Sequence, residues 1–171
     1  MLRRIFKVLG IFVAVVLLGL LGYRLWFGLA SGARFEHLGP GGAAREAVPF
    51  SADLLDGLPE PARRYLTHAI APGTPLTDRV EFSGFGRIEL DGKWQAFDFA
   101  ERLAAETGFV WRADLKDLPV YTDDYYLEKA GGVNVFLLKV IPLVRSGGED
   151  VARSASHRFA IEHIWLPTAL L

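Results

Sequence analysis

The spacing of apolar and polar residues changes three times along this chain. From Val8 to Tyr23 there are sixteen consecutive uncharged residues, and the run extends to Leu29 with Arg24 as its only interruption. A helix rises about 1.5 Å per residue, so about 20 such residues cross a hydrocarbon core. Further on, "LPEPARRYLTHAI" places Leu58, Ala62, Tyr65, Leu66, Ala69 and Ile70 on one helical stripe, with Arg63, Arg64 and His68 opposite. Pro61 suits the first turn of that helix, and "APGTP" (71–75) ends it.

From Val80 the period drops to two. Val80, Phe82, Ile88 and Leu90 share one side, and Glu81, Ser83, Arg87 and Glu89 share the other. Asp91-Gly92 predicts a two-residue hairpin turn, which sets Gly86 against Phe97 and Gly84 against Phe99. An aromatic ring over a cross-strand glycine is a means of holding a curved sheet. Further strands are expected at 108–114, 119–129 and 133–141, with Gly131-Gly132 as the turn before the last and Pro142 and Gly147-Gly148 ending it. A second helix is expected over 150–166, capped by Asp150 or Ser154.

The predicted fold class is therefore α+β. An N-terminal transmembrane helix precedes a curved antiparallel sheet of about five strands flanked by two helices, a layout that also fits part of a half-barrel. The expected organisation is a membrane anchor over 1–30, a flexible tether over 31–50 rich in Gly, Ala and Pro, and the α+β domain over 51–171.

Charge sharpens the membrane reading. Residues 1–34 carry Arg3, Arg4, Lys7, Arg24 and Arg34 with no acid, leaving 14 Lys/Arg against 20 Asp/Glu in the remainder. Three cations ahead of the span predict a cytoplasmic N-terminus and an exported domain, in a single pass through a bacterial inner (plasma) membrane. Tyr23 and Trp26 sit where interfacial aromatics do, and Arg24 can snorkel to the headgroups. The alternative is a cleaved signal peptide ending in the small residues Gly28, Ala30, Gly32 and Ala33; the apolar run exceeds the 7–15 residues usual there. The acidic body argues against nucleic acid as a partner, since phosphate backbones call for a basic face. The expected partners are the membrane itself and a lipid or another envelope protein.

Candidate chemistry is sparse. The chain has no cysteine, which removes disulfides and thiol chemistry. His157, Glu162 and His163 resemble a metal-binding helix only superficially. The two histidines are six residues apart, about 240° around a helix, so no metal site is expected. The acids Asp114, Asp117, Asp123, Asp124 and Glu128 lack calcium-loop spacing, and Asp123 and Asp124 should point to opposite faces of one strand. Gly84-x-Gly86 lies inside a strand and lacks a third glycine, so it is no nucleotide loop, and neither a P-loop nor a serine elbow occurs. No cofactor is expected. Two readings stand. In the first, aromatics of the sheet, Trp94, Phe97, Phe99, Trp111 and Tyr126, line a cavity for a lipid or another apolar ligand. In the second, a hydrolase uses Asp124, Glu162 and His163.

"LPEPARRYL" (58–66), "FSGFGRI" (82–88), Trp94 with Phe97 and Phe99, "FVWRA" (109–113), the Asp124-Tyr125 neighbourhood and "EHIWLPTALL" (162–171) occur in an order that resembles an uncharacterised bacterial family of membrane-anchored proteins, a domain of unknown function. The resemblance implies no activity and no catalytic residue. It does imply further strands beyond "WLPTALL", so the domain is expected to be incomplete at its C-terminus.

Overall fold

A computed structural model describes residues 1–42 and 48–171. Helix α1 (Leu2–His37) leads into a six-stranded antiparallel sheet in the order β1 (Arg79–Leu90), β2 (Lys93–Ala104), β3 (Gly108–Leu115), β4 (Val120–Leu127), β5 (Ala130–Leu137) and β6 (Ile141–Gly147). Between them lie a short 3₁₀ turn (Ala52–Leu55) and helix α2 (Glu60–Ala69), and helix α3 (Glu149–Glu162) follows the sheet. Every strand pairs with its sequence neighbour, so the sheet is a simple meander. The α+β class holds, with an open curved sheet.

α1 is long and apolar enough to cross a membrane. It also runs further than the sequence pattern implied. Residues 31–37, read above as the start of a tether, are helical and dock on the sheet; of that tether, residues 43–47 lie outside the described residues. The docking stripe is Tyr23, Phe27, Ser31, Arg34, Phe35 and Leu38, at i, i+4, i+8, i+11, i+12 and i+15, one helical face. Phe27 stacks 4.0 Å from Phe136 of β5, and Phe35 and Leu38 are buried with Val110 of β3 and Ala104 of β2. Two guanidiniums flank the Phe35 ring, Arg102 at 4.3 Å and Arg112 at 4.2 Å.

α3 and the C-terminal tail cover part of the opposite face. Leu166 is buried against Leu103 and Phe109, with Phe159 and Ala169 beside it. Thr168 Oγ1 donates to the Thr77 carbonyl at 2.8 Å, fixing the tail beside the start of β1. α2 builds a small core of its own from Phe50, Leu55, Leu66 and Ile70.

The sixth strand arises where one long strand was expected over 133–141. Leu138 (φ 56°) and Lys139 (φ 58°) take left-handed backbone conformations, and the chain reverses to pair Leu137 with Ile141. Left-handed residues are usually Gly, Asn or Asp, so an apolar Leu-Lys turn carries no compositional signal. Pro142 is tolerated because β6 is an edge strand and the pairing shifts register between Val135 and Phe136. Likewise the β4–β5 turn is Glu128-Lys129, both left-handed, and not Gly131-Gly132. Those glycines lie in β5 for steric reasons. A Cβ on Gly131 would sit 2.7 Å from the Ala152 backbone of α3, and one on Gly132 would sit 2.7 Å from the Tyr125 ring. Helix α3 starts at Gly148 without a side-chain cap, where Asp150 or Ser154 was expected.

The β1–β2 hairpin matches its predicted register. Asp91 (φ 48°) and Gly92 (φ 76°) form the turn, and Gly84 faces Phe99 and Gly86 faces Phe97. A Cβ on Gly86 would lie 2.7 Å from the Phe97 ring. Gly86→Val is therefore expected to lower stability by about 1–3 kcal/mol, read as a fall in the thermal midpoint of the full chain by tryptophan fluorescence. An unchanged midpoint would contradict the packing described.

Candidate functional site

Strand alternation sends the two adjacent acids of β4 to opposite faces of the sheet, as the sequence predicted. Asp123 is completely buried under α1, where it accepts hydrogen bonds from Ser31 Oγ (2.5 Å), Arg34 Nη2 (2.6 Å) and Asn134 Nδ2 (3.3 Å). Asp124 faces α3.

On the α3 face a polar cluster is organised by Arg158. Its Nη1 donates to Asp124 Oδ2 at 3.2 Å and its Nε to Glu162 Oε1 at 2.6 Å. Its guanidinium lies 4.6 Å from the Phe109 ring centre and 5.3 Å from that of Trp111. Glu101 of β2 completes the cluster and is only 3% exposed. Burial first, and then the hydrogen bond and negative charge of Glu162, push the Glu101 carboxyl up to about 9, so it holds its proton at neutral pH. Burial also raises Asp124, with Arg158 opposing the rise. Glu101 Oε1 and Glu162 Oε2 are both buried without another partner among the described residues. A proton retained by Glu101 and donated to Glu162 satisfies both.

Beyond Arg158, the part of the sheet that α3 leaves uncovered forms an open groove of about 600 Å³. Trp111, Leu115, Val120, Val133 and Val135 supply largely apolar walls, with Asp124 and Arg158 at one end.

The sequence-predicted site residues separate accordingly. Phe97 and Trp111 line the groove. Phe99 stacks on Trp111 with ring centres 6.3 Å apart. Tyr126 lies under α3, 5.5 Å from Phe159. Trp94 falls on the alternate set of β2 positions with Ala100 and Arg102, the α1 face, and its ring lies 5.8 Å from the Arg87 guanidinium. Asp124 and Glu162 are held on either side of Arg158. The His163 Nδ1 pairs with the Phe159 carbonyl at 2.8 Å, and His157 is exposed. Glu101 was missed by the sequence reading. Its signal lies in "FDFAERL": position 101 falls between inward Phe99 and Leu103, where alternation calls for an apolar residue.

The sequence model of a family described as "Family of unknown function (DUF6544)" matches residues 48–171. The chain belongs to this family. The match spans α2, the whole sheet, α3 and the tail, and therefore both the groove and the Arg158 cluster of this DUF6544 domain. No curated protein and no solved structure matches the chain.

The buried carboxyl gives a pH signature. Between the ordinary glutamate value near 4.5 and the native value near 9, the folded state binds a proton that the unfolded state has lost. Stability therefore falls as pH rises through that window. The full chain should melt at a lower temperature at pH 8.5 than at pH 6, and Glu101→Gln should flatten this dependence and raise the midpoint at pH 8.5. A wild-type midpoint that rises over this range would refute the buried-proton assignment.

Proposed function

We propose that this protein is a single-pass component of a bacterial envelope whose DUF6544 domain holds an acyl chain or a similar apolar ligand in the groove on its α3 face. The inner membrane is the proposed location, with the N-terminus in the cytoplasm and the domain on the exported side. The observation that carries the reading is the groove itself. Its volume of about 600 Å³ falls within the range of small-molecule sites. Its walls are apolar side chains of five strands, β1 to β5, while Arg158 and Asp124 supply hydrogen-bonding groups at one end. α1 would keep this groove next to a lipid source.

Binding is favoured over hydrolysis by the way the polar groups are used. Arg158 engages both Asp124 and Glu162, and the His163 Nδ1 is occupied by a backbone carbonyl. An acid–base pair needs two such groups free to meet one substrate atom.

The full chain in lipid nanodiscs, irradiated with palmitate bearing a diazirine near its methyl end, tests the reading. Peptide mapping should place adducts on Trp111–Leu115 and Val133–Val135. Val135→Trp, which fills the groove, should reduce these adducts about tenfold or more while leaving the melting temperature near that of wild type. Adducts confined to α1, or groove adducts unchanged by Val135→Trp, would refute it.

A further inference from the structure

Where α1 ends its apolar run it meets the sheet, and a second, smaller cavity of about 200 Å³ opens in the angle between them. Three cations from three different elements line it: Arg24 of α1, Arg112 of β3 and Lys139 of the β5–β6 turn. The hydroxyls of Ser31 and Tyr121, 3.2 Å apart, line it too. Such a concentration of positive charge stands out in a chain whose residues after Arg34 carry an excess of acid.

Neighbouring carboxylates leave this charge only partly neutralised. Lys139 Nζ lies 2.7 Å from Asp114, while Asp123 is shared between Arg34 at 2.6 Å and Arg112 at 3.9 Å. The Arg112 Nη2 donates to the Ser31 carbonyl, and its Nε is buried with no hydrogen-bond partner among the described residues. Arg24 pairs with no carboxylate among the described residues. Three lining cations, with Arg34 on Asp123 behind them, thus meet only two acids; the Ser31 hydroxyl is already donated to Asp123, so the cationic N–H groups are the donors that remain. That donor set fits a phosphate, which takes charge-assisted hydrogen bonds from several directions.

Position along α1 names the source of the phosphate. The uncharged stretch Val8–Tyr23 spans about 24 Å, and Arg24 follows it at the depth where a hydrocarbon core of about 30 Å gives way to headgroups. Trp26 lies beside Arg145 of β6 at the same level, 5.9 Å from its guanidinium. Leu138 and Leu143 of the β5–β6 hairpin are more than half exposed and offer apolar surface next to the cavity. We infer that the cavity between α1 and the sheet binds the phosphate of an anionic phospholipid of the surrounding bilayer. This rests on α1 spanning that bilayer, and is independent of what the α3-face groove holds.

Native mass spectrometry of the full chain released from nanodiscs of equal phosphatidylglycerol and phosphatidylcholine tests it. The wild type should retain phosphatidylglycerol over phosphatidylcholine. The double variant Arg24→Gln, Lys139→Gln should reduce that preference about fivefold for each cation removed. Arg87→Gln, which removes a cation from the β1–β2 hairpin, should leave it unchanged. The Lys139–Asp114 pair is half exposed, so its loss should barely change the melting temperature, which is recorded in parallel. Equal retention of both lipids by the wild type, or a preference that survives the double variant, would overturn the assignment. Inorganic phosphate that protects the chain in phosphatidylcholine nanodiscs, with no phosphatidylglycerol preference, would also overturn it, by showing a free-phosphate site.

Discussion

The buried carboxylate of Asp123 is the interaction on which this architecture depends. A charge removed from water is costly unless it is paired and hydrogen-bonded. Asp123 meets that requirement by drawing on both α1 and its own sheet. Ser31 and Arg34 come from the helix, and Asn134 and Arg112 come from β5 and β3. The carboxylate loses its two shortest partners if the helix lifts away, so the same contact that satisfies the charge fixes α1 to the domain. Phe35, held between two guanidiniums, and Phe27 on Phe136 add apolar burial on either side of it. The membrane-type helix and the sheet are consequently one continuous structure over residues 23–38, with no hinge between them.

That joint divides the sheet into two working faces. One face of β4 presents Asp123 to α1, and the other presents Asp124 to Arg158 and the groove. α1 crosses its face from the β5–β6 edge, by Phe136 and Arg145, towards β2 and the start of β1. This sets the β5–β6 hairpin beside the end of the apolar run, with the basic cavity in the angle. On the other face, α3 and the C-terminal tail cover Leu103, Phe109 and Tyr126 and stop short of Val120 and Val135. The groove is therefore the remainder of a sheet face whose other half is occupied by helix. Its polar end is built from the charges of Asp124 and Arg158, with Glu162 behind Arg158.

Features governed by local chemistry were legible in the sequence. The apolar run of α1, the stripe of α2, the Asp91-Gly92 hairpin with its glycine–phenylalanine pairs, and the opposite orientations of Asp123 and Asp124 follow from periods of 3.6 and 2 and from one turn rule. Features set by tertiary contact were not. The β5–β6 turn uses Leu138 and Lys139 in conformations that their side chains do not favour. Gly131 and Gly132 look like a turn but serve the close approach of α3 and Tyr125. The docking stripe of α1 runs through Ser31, which Gly32 and Ala33 follow, and small residues after a span read as a tether unless the partner for Ser31 and Arg34 is known. Of the candidate site, Phe97, Trp111 and Asp124 were foreseeable from alternation. The joining of Glu101 to Glu162 through a shared proton depends on how α3 lies across β2, which no local pattern encodes.

Amide hydrogen exchange of the full chain in nanodiscs addresses the central claim most directly, because the backbone of residues 30–37 lies beyond the apolar run and owes its protection to docking on the sheet. The account predicts slow exchange at these amides, comparable with that of β3 and β4, and its loss in Asp123→Asn. Exchange at residues 30–37 as fast as that of an unstructured linker in the wild type would contradict it.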